Sequence, residues 1–184
     1  AGVVDRMTKY AKTAKSAQFI TWLLGVAIFF ADYANTLIVG NTMRSVTDRF
    51  RVSREKLAYI VDSTAAPVAA VAFITTWIGA ELGYIGDGIK DVSALEGITP
   101  YAIFLQSLKY SFYPVLTLAF ILMLIMTKRD YSTMLRAEQR ARRTGEVKAR
   151  GAVEEVVEET EDLRPVAGAP LRARNAIIPV LVGI

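Results

Sequence analysis

The sequence predicts an all-α chain, a piece of a polytopic membrane protein whose transmembrane helices are interrupted. Three observations carry that expectation. The 184 residues are 53% hydrophobic and yet 22% charged, so the two kinds must be segregated along the chain. Three long apolar runs, Phe19–Gly40, Leu57 to about Ile85 and Tyr110–Met126, alternate with charged tracts. Polar residues, and in the second run a proline, interrupt the first two. A chain this apolar does not stay disordered over its whole length. It contains neither Cys nor His. Disulfide scaffolds, thiolate or imidazole metal sites and histidine acid–base catalysis are therefore excluded within these residues. No nucleophile–base pair is visible either, so an enzyme is not expected.

Residues 1–18 carry Arg6, Lys9, Lys12 and Lys15 at a spacing that keeps them on one side of a helix, and they do not read as a signal peptide. Phe19–Gly40 has Asp32 as its one charge, within Ala31-Asp32-Tyr33-Ala34-Asn35. Those residues suit lipid poorly, and a helix break is expected at Asp32–Asn35. Residues 46–56 read as a charged, mostly solvated connector, within which Ser53 can cap the next helix with Lys56 in its first turn. The second run carries only Asp62 and Glu81 as charges, and Pro67 predicts a kink or break. The third run has no charge and reaches roughly 26 Å as a helix, close to the hydrocarbon thickness. Lys109 can snorkel to extend it. Trp22, Trp77, Tyr84, Tyr110 and Tyr113 lie toward the ends of runs, where interfacial aromatics are expected.

After Met126 the chain turns polar, and a detached arm is expected. Ser132 can cap a helix to about Arg143, with Glu138 and Arg142 paired at i,i+4 and Gly145 ending it. Residues 153–162 are acidic, and Arg164–Arg174 reads as a linker with Pro165, Gly168 and Pro170. The resulting division is 1–127 transmembrane region, 128–175 cytoplasmic polar arm and linker, and 176–184 the start of a further membrane segment. The sequence opens without Met and closes inside an apolar run, and it reads as an internal piece of a longer polypeptide.

Charge sets the expected topology. Residues 128–175 hold half of the 22 Lys and Arg, which places them in the cytoplasm and residues near 82–100 outside. Residues 43–56 are basic and fall inside as well. The basic residues 1–18 then conflict with a first run that spans the membrane once. A broken helix or a re-entrant hairpin would remove the conflict. The basic run RAEQRARR, beside a membrane, reads as an anchor to anionic lipid, and no nucleic-acid partner is expected.

The polar residues inside the apolar runs are the candidate site, because charges at membrane depth are costly and usually face a cavity or a partner. Asp32, Asn35 and Thr36 share one face if the segment is helical. Carboxylate, amide and hydroxyl oxygens suit a hard cation. In the second run, Asp62, Ser63 and Thr64 lie beside a carbonyl that Pro67 frees from the helix ladder. Interrupted helices of secondary transporters expose such carbonyls to coordinate cations near the midplane. Ala65, Ala66, Ala69, Ala70 and Ala72 form a small-residue surface suited to close helix contact.

The segment FFADYANTLIVGNTMRSVTDRFRVSREKLAYIVDSTAAPVA resembles the signature region of the Na+/H+ antiporter NhaC family, and TKRDYSTMLRAEQRARRTG is similar to a later stretch of it. The resemblance implies a multi-pass carrier of the cell (inner) membrane, with an ion-transporter fold of paired repeats and interrupted helices, exchanging Na+ for H+. Asp32, Asn35, Thr36, Asp62, Ser63 and Thr64 match the pattern as they stand, with Asp32 and Asp62 as the Na+-binding carboxylates. Two positions depart from it: Ala31 stands where the family usually has a second acid, and Ser45 replaces a usual proline. No resident cofactor is implied, only transported Na+ and H+. The partners expected are the lipid bilayer, these ions and the remainder of the polypeptide, and a homo-oligomer is compatible with the sequence. The competing expectation is a non-transporting membrane scaffold or subunit whose polar breaks only hold helices together.

Overall fold

The computed structural model describes residues 10–149 and 151. The expectations for the acidic stretch 153–162, the linker 164–174 and the apolar end 176–184 lie outside the described residues, as do Arg6 and Lys9 of the basic residues 1–18. Every regular element among the described residues is a helix.

The first apolar run forms two helices, α1 (Ala14–Ala27) and α2 (Asp32–Arg49). Thr13 and Ser16 close a capping box at the start of α1, each side chain accepting the other's backbone N–H. The interruption falls at residues 28–31 and not at Asp32–Asn35. Asp32 opens α2, where a carboxylate favours the positive end of the helix dipole. Helix α2 runs on through the charged tract to Arg49, so the expected solvated connector is mostly helix. Its remaining turn is packed, with Val52 and Ser53 both 0% exposed. Ser53 caps α3 (Arg54–Val71) by accepting from the Lys56 backbone N–H, as its position predicted.

The second apolar run is also split, between α3 and α4 (Ile78–Ile89). Pro67 sits buried inside α3, which continues to Val71, and the interruption follows at residues 72–77. A packed face of Thr64, Ala65, Pro67, Val68 and Ala69 holds the helix together across the proline. Helix α4 buries no residue and packs against the short α5 (Pro100–Ser107). A turn of 3-10 helix leads into α6 (Phe112–Thr127). Lys128 ends α6 in the left-handed region, φ 56°, and α7 (Ser132–Thr144) follows. Tyr131, not Ser132, occupies the N-cap of α7 and makes no side-chain cap bond. Gly145 ends the helix at φ 79°, a conformation that costs glycine little.

Helix α3 is the central element, packed against α1, α2, α6 and α7. One apolar cluster joins Ile20 and Leu24 of α1, Val39 and Met43 of α2, and Leu57 and Val61 of α3. A second joins Ile60 to Ile121 and Ile125 of α6, with Trp22 and Tyr59 against it. Because α1 and α2 form a hairpin, Ala11 before α1 packs on the same cluster as Met43 and Val46 late in α2. Lys12 and Lys15, with Arg49 and Arg51, therefore lie toward one end of the bundle, an arrangement free of the charge conflict of a single crossing.

Within the helical run Phe112–Thr144 lies the one described segment long and apolar enough to cross a membrane, with mean hydropathy 1.5. Only 17% of that window is buried, far less than in the core helix of a soluble protein. Phe112, Tyr113, Val115, Leu116, Phe120, Met123 and Met126 of α6 all face outward. The polar arm is not detached where it is described, because α7 docks against α3.

Candidate functional site

The two interruptions meet. The Thr76 backbone N–H, in the gap after α3, donates to the Phe30 carbonyl, in the gap after α1, at 3.2 Å. Breaking a helix leaves carbonyls at one end and N–H groups at the other without intrahelical partners. This bond satisfies one from each gap. Just below it, α1 crosses α3 at Gly25. A Cβ at Gly25 would collide with the Thr64 Oγ1 and lie 2.9 Å from the Thr64 Cβ, so only glycine permits this approach. Asn35, one turn into α2, ties the same corner. Its Nδ2 donates to the Gly25 carbonyl at 2.6 Å and to the Ile28 carbonyl at 3.1 Å.

The structure thus brings together two of the six predicted site residues, Asn35 and Thr64, on either side of Gly25. Asn35 is 0% exposed and its Oδ1 has no hydrogen-bond partner among the described residues. Thr64 is also 0% exposed, but its Oγ1 donates back into its own helix, to Ile60 at 2.8 Å and Val61 at 3.0 Å. Its hydroxyl proton is committed there and its methyl and Cβ do the packing.

The other four stand apart from that corner. Asp32 is half-buried in the first turn of α2, and its backbone carbonyl accepts from Thr36 Oγ1 at 3.1 Å. The Thr36 side chain lies on the exposed face. Asp62 is exposed on α3. Ser63 lines an open groove between α3 and α6, together with Tyr59, Tyr113, Leu116, Thr117, Phe120 and Met123. Pro67 is buried and offers no N–H to the Ser63 carbonyl four residues earlier. No group of three or more Asp or Glu that could hold a metal ion occurs among the described residues. Cation coordination in this region would rest chiefly on neutral oxygens.

Sequence reasoning missed Gly25 and Ile28, whose contribution is backbone carbonyl. A glycine in the middle of an apolar run was the one available signal, and it marks close backbone approach. Ala31 acquires a role as well. It is the N-cap of α2 in an extended conformation, φ −151°, with no side-chain cap bond. The acid that the resemblance leads one to expect there would be placed to cap the helix.

The opposite end of α3 carries a second polar assembly, of which the sequence announced only the Glu138–Arg142 pair and the Ser53 cap. Lys56 Nζ, with 1% of its side chain exposed, donates to Asp130 Oδ1 at 2.5 Å, and Asp130 is 4% exposed. Arg142 lies 3.7 Å from the other Asp130 oxygen and 2.9 Å from Glu138 Oε2. Glu138 Oε1 accepts the Ser53 backbone N–H at 2.7 Å. Around it, Arg140 forks onto Glu55 at 2.9 and 3.0 Å, and the Arg54 N–H donates to the Val147 carbonyl at 2.9 Å. Two buried acids and two bases balance one another and lock α7 onto the turn between α2 and α3.

A family model described as the Na+/H+ antiporter family matches residues 68–182. That span starts beyond Thr64 and covers the second interruption, α4 to α7 and the residues that follow. The chain is also similar to an uncharacterized protein of Haemophilus influenzae, 32% identical over 172 residues, which is 93% of this chain and 30% of that protein. The chain spans only that smaller share of its relative's length. No solved structure matches.

Proposed function

Since the chain belongs to the Na+/H+ antiporter family, we propose that it is part of a multi-pass carrier, close to the NhaC branch, that exchanges Na+ for H+ across the cell membrane. Membership points to a membrane transporter of cations and protons and away from an enzyme. The observation that carries the finer reading is the junction of the two interruptions, Phe30 to Thr76, with Asp32 opening the helix that leaves it. Interrupted helices joined at membrane depth are how secondary transporters offer backbone oxygens to a cation.

In this reading Na+ and H+ compete for a carboxylate, Asp32 or Asp62. Bound Na+ favours the ionised form, and protonation releases it. Asn35, Thr36, Ser63 and Thr64 supply neutral oxygens around the two acids, and the chain's remainder brings the facing ligands. Asp62 is exposed on α3, and a charge so placed needs a partner in the membrane. The basic end of the bundle, with Lys12, Lys15, Arg49, Arg51, Lys128 and Arg129, lies in the cytoplasm. Helices α3 and α6 cross, and α1 and α2 form a re-entrant hairpin from that side. The hairpin accounts for basic flanks at both of its ends.

The test is Na+-dependent proton movement in everted membrane vesicles containing the full-length protein. Asp32→Asn and Asp62→Asn should each remove most of it while the protein still inserts. Wild-type rates in both variants would sink the carboxylate mechanism. They would favour the second reading, a scaffold whose polar groups serve packing. That reading draws on Thr64 Oγ1 and Asn35 Nδ2, which already bond within the bundle.

A further inference from the structure

Tyr59 belongs to two hollows at once. One is the open groove between α3 and α6, about 650 Å³, whose α6 side runs from Tyr113 to Met123. As helix that stretch is about 15 Å long. A hydrocarbon core of roughly 30 Å gives each leaflet the same depth, so the groove has the length of one acyl chain. Leu116, Phe120 and Met123 form an exposed apolar wall, with Ser63 and Thr117 as hydroxyls along it. The other hollow, about 620 Å³, lies where α7 meets α3, lined by Tyr131, Ser132, Thr133, Arg136 and Arg140 with Glu55. The two are continuous: besides sharing Tyr59, the Phe120 ring of the groove lies 5.9 Å from the Tyr131 ring of the hollow.

Their chemistry differs. In the hollow, Arg140 is committed to the Glu55 carboxylate, at 2.9 and 3.0 Å, and the two charges cancel. The nearby acids Asp130 and Glu138 are buried and matched by Lys56 and Arg142. Arg136 has no acidic partner among the described residues, which leaves the hollow a net positive charge. Lys128 and Arg129 add exposed positive charge in the turn just before Tyr131. Of the basic run RAEQRARR, then, Arg140 and Arg142 serve acids of the protein, and Arg136 is the cation left to the hollow.

We propose that groove and hollow are one site for an anionic phospholipid, its phosphate at Arg136 and the hydroxyls of Tyr131, Ser132 and Thr133, and one acyl chain along α6. This rests on the reading in which α3 and α6 cross the membrane with the basic end in the cytoplasm, and it does not depend on which ion is exchanged. The hollow then lies at headgroup depth in the leaflet that carries anionic lipid. An apolar helix from the rest of the polypeptide would fill the groove and leave Arg136 unanswered, whereas a phospholipid answers both. A lipid so seated touches α3, α6 and α7 together and holds the α7 junction from its outer side.

The experiment uses the full-length protein in a neutral detergent at constant ionic strength, reading the thermal unfolding midpoint as dioleoyl phosphatidylglycerol is added. A ligand bound only by the native state raises that midpoint as its concentration rises. Parallel titrations use dioleoyl phosphatidylcholine, which has the chains without the net charge, and inorganic phosphate, which has the charge without the chains. Phosphatidylglycerol should raise the midpoint well above either. Arg136→Gln should need about tenfold more phosphatidylglycerol for the same rise, the loss expected when one hydrogen bond to a charged group is removed. Ala119→Trp fills the groove from an exposed position and should lose the rise as well. Arg143→Gln removes an exposed arginine of the same helix outside the hollow and should behave as wild type does. An equal rise with phosphatidylcholine overturns the proposal, because charge then plays no part. An equal rise with phosphate also overturns it and makes the hollow an anion site without a lipid. Equal losses in Arg136→Gln and Arg143→Gln overturn it in favour of diffuse surface charge. No phosphatidylglycerol rise in wild type, with a lowered midpoint for Ala119→Trp in detergent alone, overturns it and gives the groove to a helix of the remaining polypeptide. Each of these outcomes leaves the exchange reading standing, since Na+-dependent proton movement in vesicles tests that separately.

Discussion

The two ends of α3 solve the same problem by opposite means. At the Lys56 end, where α7 docks, polar groups are charged and balanced: Lys56 with Asp130, Arg142 with Glu138. At the Thr64 end, where the interruptions meet, the groups are neutral, and one of them, Asn35 Oδ1, is unmatched. A fully matched set of charges holds one arrangement and resists change. A neutral set holds no buried charge that must stay paired, so it is cheaper to rearrange. The contrast assigns rigidity to the basic end of the bundle and freedom to rearrange to the broken end.

The largest expected effect tests the rigid end. Lys56→Met leaves Asp130 buried beside only the more distant Arg142, and should lower the stability of the purified protein by about 3–5 kcal/mol. Combining it with Asp130→Leu should recover much of the loss, since a buried pair replaced by apolar side chains is often nearly neutral. Chemical denaturation of both variants in detergent measures the difference. Additive losses in the double variant would mean that the two side chains are not coupled and that the end is less rigid than its geometry implies.

A smaller effect is expected at the crossing of α1 and α3. Gly25→Ala places a methyl against Thr64, with 2.9 Å to its Cβ, and should cost roughly 1–3 kcal/mol. Thr64→Ala should relieve most of that cost when added to Gly25→Ala. Thermal unfolding of the single and double variants reads the coupling. If the double variant is no better than the single, the contact is not what holds the helices close.

The smallest effect is a gain. Ala31→Asp supplies the missing cap of α2 and should stabilise it by about 0.5–2 kcal/mol. The same substitution restores the acid that the NhaC resemblance leads one to expect there. Stabilisation without any change in exchange would mark that acid as a helix cap. A changed Na+ dependence would give it a share in the site. Between them, these outcomes tell whether the broken end is built around its backbone or around its carboxylates.

Local chemistry was legible in the residues. Ser53 caps α3, Glu138 pairs with Arg142 at i,i+4, and Gly145 stops α7, all because each depends on neighbours within one helical turn. The existence of two interruptions was legible too, but their places were not. Asp32 reads as a disturbance inside an apolar run, whereas the helix dipole makes it a good first residue, so the gap moved to residues 28–31. Pro67 reads as a break, whereas packing around Thr64 to Ala69 carried α3 through it and left the gap at 72–77.

The sequence by itself determined that the chain is helical and apolar in segments, that no histidine or cysteine chemistry is open to it, and that acids and amides sit where lipid would not welcome them. Those properties follow from composition and from spacings of three and four residues. Only the tertiary structure decided that Gly25, Asn35 and Thr64 share a corner, that Phe30 meets Thr76, and that Lys56 finds Asp130 across 74 positions of chain. Such contacts depend on how whole helices cross. A crossing is set by the summed packing of faces, which no local spacing encodes.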